Sequence, residues 1–178
     1  GLKGNRIYFG QYNGKTITSG NYEERANRGK RDVCFRKLQE ISRNTNNVVH
    51  FGNQNPSKKE DALYISPRFT NNIRTSEMVV RWDMQLTPPD ILITNFSMLS
   101  VMLMRNIESN MFESTKNWIK ESSENIFHLV VDELHLFRGT SGTEIAYLIR
   151  MFLDAIGVPP IIKLNNKIVP NPQLRILA

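Results

Sequence analysis

Residues 127–135, Phe-His-Leu-Val-Val-Asp-Glu-Leu-His, are the stretch of this chain best equipped for chemistry. A mostly apolar run breaks off at Asp132 and Glu133, with His135 two positions further on. The run reads as a buried parallel strand. Its two acids then fall at the carboxyl edge of a sheet, where α/β proteins gather their ligand chemistry. A carboxylate there, such as Asp132, can hold Mg²⁺ through the ion's water shell, and the adjacent Glu133 can orient or deprotonate an attacking water. The plainer reading is a strand followed by a helix that opens with acids at its positive end.

The longer segment 130–139, Val-Val-Asp-Glu-Leu-His-Leu-Phe-Arg-Gly, resembles the DExH-box motif II of superfamily 2 helicases. It is most similar to a branch of large bacterial DExH helicases that includes Lhr-like enzymes and relatives in phage-defence systems. In that branch Tyr/Phe-Arg-Gly, here Phe137-Arg138-Gly139, follows the box and leads into the next helix. The resemblance implies ATP and Mg²⁺ as cofactors. Asp132 would bind the metal through water, Glu133 would activate the hydrolytic water, and His135 would couple hydrolysis to a second RecA-like lobe of the same polypeptide.

Two other stretches carry part of the same resemblance. Residues 10–16, Gly-Gln-Tyr-Asn-Gly-Lys-Thr, invite a phosphate-loop reading that fails: three residues separate the first Gly from Gly-Lys-Thr where four are needed. A helix should also open at Lys15-Thr16 to present its N-terminus to phosphate, yet Gly20 follows closely. The stretch instead resembles a Tyr-x-Gly-x-Thr loop that follows motif Ia in the same branch, which implies that Tyr12, Gly14 and Thr16 lie beside a nucleic-acid backbone; a plain turn is the alternative. Residues 88–99, Pro-Pro-Asp-Ile-Leu-Ile-Thr-Asn-Phe-Ser-Met-Leu, resemble motif Ib and its approach. Thr94, Asn95 and Ser97 would then bond the phosphates of the tracked strand, a task for hydroxyls and helix N-terminal amides because they read backbone and not bases. Asn95 or Ser97 would serve equally as a helix N-cap.

Composition sets bounds on these readings. With 178 residues, 40% hydrophobic and 22% charged, the chain is long enough for a real core and ordinary for a globular protein. No apolar run approaches the roughly 20 residues that cross a membrane, and the first residues hold no signal-peptide apolar region; no membrane partner is expected. The single Cys34 excludes an internal disulfide and fits a reducing, cytoplasmic setting. With His50, His128 and His135 scattered, no zinc site of ordinary spacing can be built. The net charge of +6 is uneven: residues 1–85 hold 15 Lys/Arg against 8 Asp/Glu, and residues 86–178 hold 8 against 9. A basic half suits a polyanion, and nucleic acid, DNA rather than RNA, is the expected partner; solvated helix faces would give the same count.

The elements that must position these residues follow from periodicity and breakers. Strands are expected at 6–9, 91–94, from 126, and at 173–178, with a shorter one at 62–65. Helices are expected over 22–42, over 76–85 with Ser76 as N-cap, after Asn95 or Ser97 with Met98, Leu99, Val101, Met102 and Leu103 in it, within 107–125, and over 141–156 with Thr140 or Ser141 as cap. The last would bury Ile145, Leu148, Ile149, Phe152, Leu153 and Ile156 and stop at Gly157-Val158-Pro159-Pro160. Residues 81–85, Arg-Trp-Asp-Met-Gln, also resemble a run in the defence-associated relatives of that helicase branch; without that resemblance Trp82 reads as a packing residue, and Trp118 is expected to seat its helix on the sheet. A polar insertion or loop is expected over 43–60, with a short strand at 48–51, and a connection over 161–172. The alternation points to an α/β fold. The resemblance implies a RecA-like (P-loop NTPase) parallel sheet with helices on both faces, here one partial lobe over 1–178, with motif I before it and motif III after it. The expected function is that of a fragment of an ATP-dependent helicase or translocase, inactive as an ATP hydrolase by itself, with other defence-system proteins as further partners. A catalytically inactive RecA-like nucleic-acid-binding module is the alternative. A nuclease of the Pro-Asp…(Asp/Glu)-x-Lys kind, suggested by Pro89-Asp90, lacks any Asp/Glu-x-Lys triplet after Asp90.

Overall fold

The computed structural model describes residues 7–22, 28–55, 57 and 76–178. The expected strand at 62–65, and the parts of expected elements at residues 6, 23–27, 56 and 58–60, lie outside the described residues. The chain divides into two compact units, one of residues 1–84 and 89–93, the other of residues 85–88 and 94–178.

The first unit is built on β1 (Phe9–Tyr12), α1 (Arg28–Gln54), β2 (Glu77–Met78), and most of α2 (Arg81–Leu86) and of β3 (Ile91–Thr94). β1 lies between β2 and β3 and runs parallel to β2, with Phe9 opposite Glu77. Pro88-Pro89 cannot prolong α2, and the chain re-enters as β3. The Asp90 carboxylate accepts the Tyr8 N–H at 2.7 Å, and the Ile91 N–H donates to the Tyr8 carbonyl at 3.0 Å. The acid that hinted at a nuclease therefore seats β3 beside β1.

Three expectations are corrected in this unit. The strand expected at 6–9 begins at Phe9 and runs to Tyr12. The helix expected over 76–85 begins only at Arg81, because the β-branched Val79-Val80 pair stays extended. Val80 bridges Ile17 in parallel, and the Arg81 N–H donates to the Ile17 carbonyl at 3.1 Å. The polar loop expected from 43, with its strand at 48–51, is instead the second half of α1. Its polar residues include no Gly or Pro before Gly52, so nothing interrupts the helical ladder until Asn55-Pro56. There the Asn55 backbone N–H and side-chain amide both donate to the Phe51 carbonyl, at 3.1 and 2.9 Å. Cys34, Val80 and Trp82 form the buried cluster, with Ile17 and Val79 packed against it. The Trp82 indole N–H donates to the Gly20 carbonyl at 3.0 Å, so its polar edge is satisfied. Burial pushes the Cys34 thiol pKa up, the charge of Asp83 adds to that, and Lys37 opposes it; the residue stays a protonated packing group.

The second unit holds α3 (Phe96–Met104), a 3-10 turn (Asn106–Glu108), α4 (Ser109–Glu121), β4 (Phe127–Val130), a second 3-10 turn (Leu134–Leu136), α5 (Gly139–Ala155), β5 (Ile161–Leu164), β6 (Lys167–Pro170) and β7 (Leu174–Leu177). Its core is Ile119, Leu153, Ile156, Val158 and Leu174, flanked by Phe112, Phe127, Leu129, Ile149 and Phe152. Of the stripe expected on α5, Ile149, Phe152, Leu153 and Ile156 pack in this core, whereas Ile145 and Leu148, nearer the start of the helix, are not part of it. The fully buried Glu108 is neutralised by Arg105. Trp118, expected to seat α4, is 43% exposed; its neighbour Ile119, one residue around the helix, makes the packing contact. The stretch 161–172, expected as a connection, is an antiparallel hairpin of β5 and β6. Asn165 and Asn166 close it with φ of 49° and 61°, the two-residue turn whose twist matches paired strands.

The strands thus give α/β structure with parallel pairings of β1 with β2 and β4 with β7. The pairings form three small sheets, β2-β1-β3, β4-β7 and β5-β6, where one continuous sheet was expected.

α5 stops at Gly157, which has φ +78°. The Gly157 N–H donates to the Asp154 carbonyl at 3.1 Å, and the Val158 N–H reaches back to the Leu153 carbonyl at 2.9 Å. This is the Schellman arrangement, with buried Val158 and Leu153 as its apolar contact. Gly157→Ala is expected to cost about 1–2 kcal/mol for the left-handed backbone. The urea midpoint should fall with the slope unchanged; an unshifted midpoint would refute the assignment.

Candidate functional site

β4 pairs with β7 from Phe127 opposite Leu174 to Val130 opposite Leu177, and the Val131 N–H adds a final bond to the Leu177 carbonyl at 2.8 Å. Val131 is buried, and the two residues after it turn away from the sheet into solvent. Glu133 takes φ 53° and ψ 36°, the left-handed region. That conformation costs a residue with a Cβ roughly 1–2 kcal/mol and persists where neighbouring bonds hold it. The 3-10 turn does so here: the Leu136 N–H donates to the Glu133 carbonyl at 3.0 Å and the Phe137 N–H to the Leu134 carbonyl at 3.1 Å. The acids therefore project from a tight turn and do not open a helix. α5 starts only after Arg138, with Gly139 at φ +63° and no side-chain cap from Thr140 or Ser141.

The Glu133 carboxylate lies 3.3 Å from Nε2 of His135, and both side chains are more than half exposed. Such a pair adds little to stability, but it keeps the imidazole beside the carboxylate. Asp132 is exposed, with no hydrogen bond or ion pair among the described residues. Among those residues there is also no group of three or more His, Cys, Asp or Glu side chains that could cage a metal. A donor set of one or two exposed carboxylates fits Mg²⁺, which keeps most of its water and shares phosphate oxygens, and does not fit an all-protein metal cage.

Thr94 closes β3, and Asn95, with extended backbone, caps α3. The Asn95 Oδ1 accepts the Met98 N–H at 2.8 Å and its backbone carbonyl accepts the Leu99 N–H at 2.9 Å. The capping reading of Asn95 is thereby realised. Ser97 is exposed in the first turn of α3. Between them, the Phe96 ring meets the Phe137 ring edge-to-face, with centroids 5.1 Å apart and planes at 87°. The start of α3 and the acidic turn are therefore in contact within the second unit. The backbone of Phe137 is also pressed against α5: a Cβ on Gly142 would lie 2.8 Å from the Phe137 carbonyl oxygen. The Phe–Phe contact and the Gly142 approach were not anticipated, and only the aromatic at each end of the two motifs could have hinted at the first.

The stretch 12–16 belongs to the first unit. Tyr12, expected in a loop, is the last residue of β1 and is completely buried, with the Arg81 guanidinium 5.3 Å from its ring centre. Asn13 and Thr16 form a self-contained turn. The Thr16 hydroxyl donates to the Gln11 carbonyl at 2.6 Å and accepts the Asn13 N–H at 2.9 Å, while the Lys15 N–H donates to Asn13 Oδ1 at 2.8 Å. Arg81 also donates to the Asn13 carbonyl. Gly14 and Lys15 are the outward-facing residues. No helix opens after Thr16, and Ile17 joins Val80 instead, so the turn has none of the architecture of a phosphate loop.

An 83-residue stretch, 47% of this chain, is 48% identical to the Druantia protein DruE of Escherichia coli (strain UMEA 4076-1). That stretch covers only 4% of the length of this curated relative. No family model and no solved structure matches the chain.

Replacing the cap tests the local geometry. Asn95→Ala should lower stability by about 1 kcal/mol, whereas Asn95→Ser should restore most of it. Thermal midpoints measured side by side decide this: equal midpoints for all three proteins would show that Asn95 does not hold α3.

Proposed function

We propose that this chain is part of a RecA-like lobe of an ATP-dependent helicase or translocase that acts on nucleic acid, DNA in particular. The observation that carries the reading is the acidic turn at the carboxyl end of a parallel strand, in contact with the capped start of α3. The motif resemblance, and the local identity to the Druantia protein DruE, support it. Bound Mg·ATP would supply the phosphoryl group and the counter-charge for it. Asp132 would hold the hydrated metal, and Glu133 would take a proton from the attacking water. His135, beside the Glu133 carboxylate, would carry the state of that group towards a second lobe.

On the strand side, the Thr94 and Ser97 hydroxyls and the free first-turn amides of α3 would donate to phosphates. The Oδ1 of Asn95 is committed to Met98, so only its amide NH₂ would face the strand. In the first unit Gly14 and Lys15 are the accessible partners; Tyr12 is buried, and Thr16 has spent its hydroxyl proton on Gln11.

Glu133→Gln in the full-length protein keeps the shape and hydrogen-bonding of the side chain and removes the base. Turnover of ATP should fall on the order of 10²-fold or more, with nucleotide binding retained. Near-normal turnover would remove Glu133 from the mechanism, and a full-length protein with no hydrolysis at all would favour the inactive binding module.

Thr94→Val in the same protein keeps the β-branched shape that suits a strand end. If the hydroxyl serves a phosphate, single-strand affinity should drop a few-fold to about tenfold, for roughly 0.5–1.5 kcal/mol, and do so alike for different base sequences. A lowered thermal midpoint with unchanged affinity would assign Thr94 to the fold alone.

A further inference from the structure

We infer that the Phe96–Phe137 contact is the link through which a bound strand changes the rate of ATP hydrolysis. The inference rests on the function proposed above and adds the residues that connect its two halves. Each ring is close in sequence to the machinery it would report on. Phe96 lies between the capping Asn95 and Ser97; Phe137 ends the 3-10 turn that follows Glu133, two residues past His135 and four past Glu133. Both rings are half-buried and meet edge-to-face at 5.1 Å. That geometry is directional, so tilting one ring alters its contact with the other.

The backbone at one end has little freedom to absorb such a movement. The Phe137 carbonyl lies so close to Gly142 that no side chain fits between them, which ties the turn to the first turns of α5. A shift in the cap of α3 on gaining a phosphate must therefore pass into the acidic turn or break the ring contact. The coupling is reciprocal for binding: the nucleotide state held by the turn would change strand affinity by the same factor. A plain packing role would couple the two rings in stability as well, but would leave strand stimulation at the parent's value.

A double-mutant cycle in the full-length protein separates the two. ATP turnover is measured with and without an oligothymidine strand for the parent, Phe96→Leu, Phe137→Leu and the double variant, with a thermal midpoint for each. Leu keeps the apolar volume and removes the edge-to-face pairing. The expected result is basal turnover close to the parent's and strand stimulation reduced about 2- to 10-fold in each single variant, with no further loss in the double. Parent-like stimulation in either single variant, or single losses that multiply in the double, would overturn the link. Should Phe137→Leu fail to fold, Phe137→Tyr must keep the parent's stimulation and Phe96→Leu must lose it; any other pattern also overturns the link. Absence of stimulation in the parent would overturn the proposed function itself, which is a different result from a parent that responds and variants that respond equally.

Discussion

The second unit depends on where β4 stops pairing with β7. One side chain fixes this register at its lower end. The Gln173 side-chain amide donates to the carbonyls of Ile119, Ser122 and Asn125 at 2.8, 3.0 and 3.1 Å, and the backbone carbonyl of the same residue accepts the Phe127 N–H at 2.8 Å. It satisfies carbonyls left over at the end of α4 and aligns the entry to β4 with the start of β7. With that end held, the ladder runs out at Val131, and the next residue is Asp132. A one-residue slip would exchange the faces of the whole strand and draw an acid into the pairing. The apolar core beneath, with Phe127 and Leu129 packed on Phe152 and its neighbours, opposes such a slip.

Much of this arrangement was legible in the chain itself. The apolar run ending in two acids, the stop at Pro88-Pro89, the stripe on α5 and the Gly157 terminus are local signals whose physics needs no distant partner. The parallel pairing of β4 and β7 has the α/β character that the alternation of elements implies. Asn95 was readable in two ways, and only its bond to Met98 shows which is realised in the fold.

The illegible parts each depended on something a local pattern does not carry. The polar second half of α1 reads as a loop because its residues are polar and lack an apolar stripe, but absence of a stripe is not presence of a breaker. Tyr12 looked like a loop residue until the strand was placed three residues later, and burial beneath Arg81 followed from that placement. Trp118 and Ile119 are adjacent, and a small rotation of the helix decides which of them meets the core. The hairpin at Asn165-Asn166 did have a signal: two turn-forming residues between short β-rich runs. The left-handed conformation of Glu133 had none, since Glu is a residue for which that backbone state is rarely assumed.

The separation of β4 from β7 along the chain also bears on how the acidic turn is made. α4, α5 and the β5–β6 hairpin all close through neighbours in sequence, whereas β4 pairs residue 127 with residue 174 and every later rung is as distant. Loop closure of that span comes after the local elements have formed. On a ribosome, the partner strand is the last part of this stretch to emerge. Until it does, Asp132 and Glu133 follow a strand that lacks the partner it has among the described residues, and the geometry that sets the two carboxylates apart from that pairing does not yet exist. The nascent chain thus carries its acids for dozens of residues before it can shape them into the exposed turn.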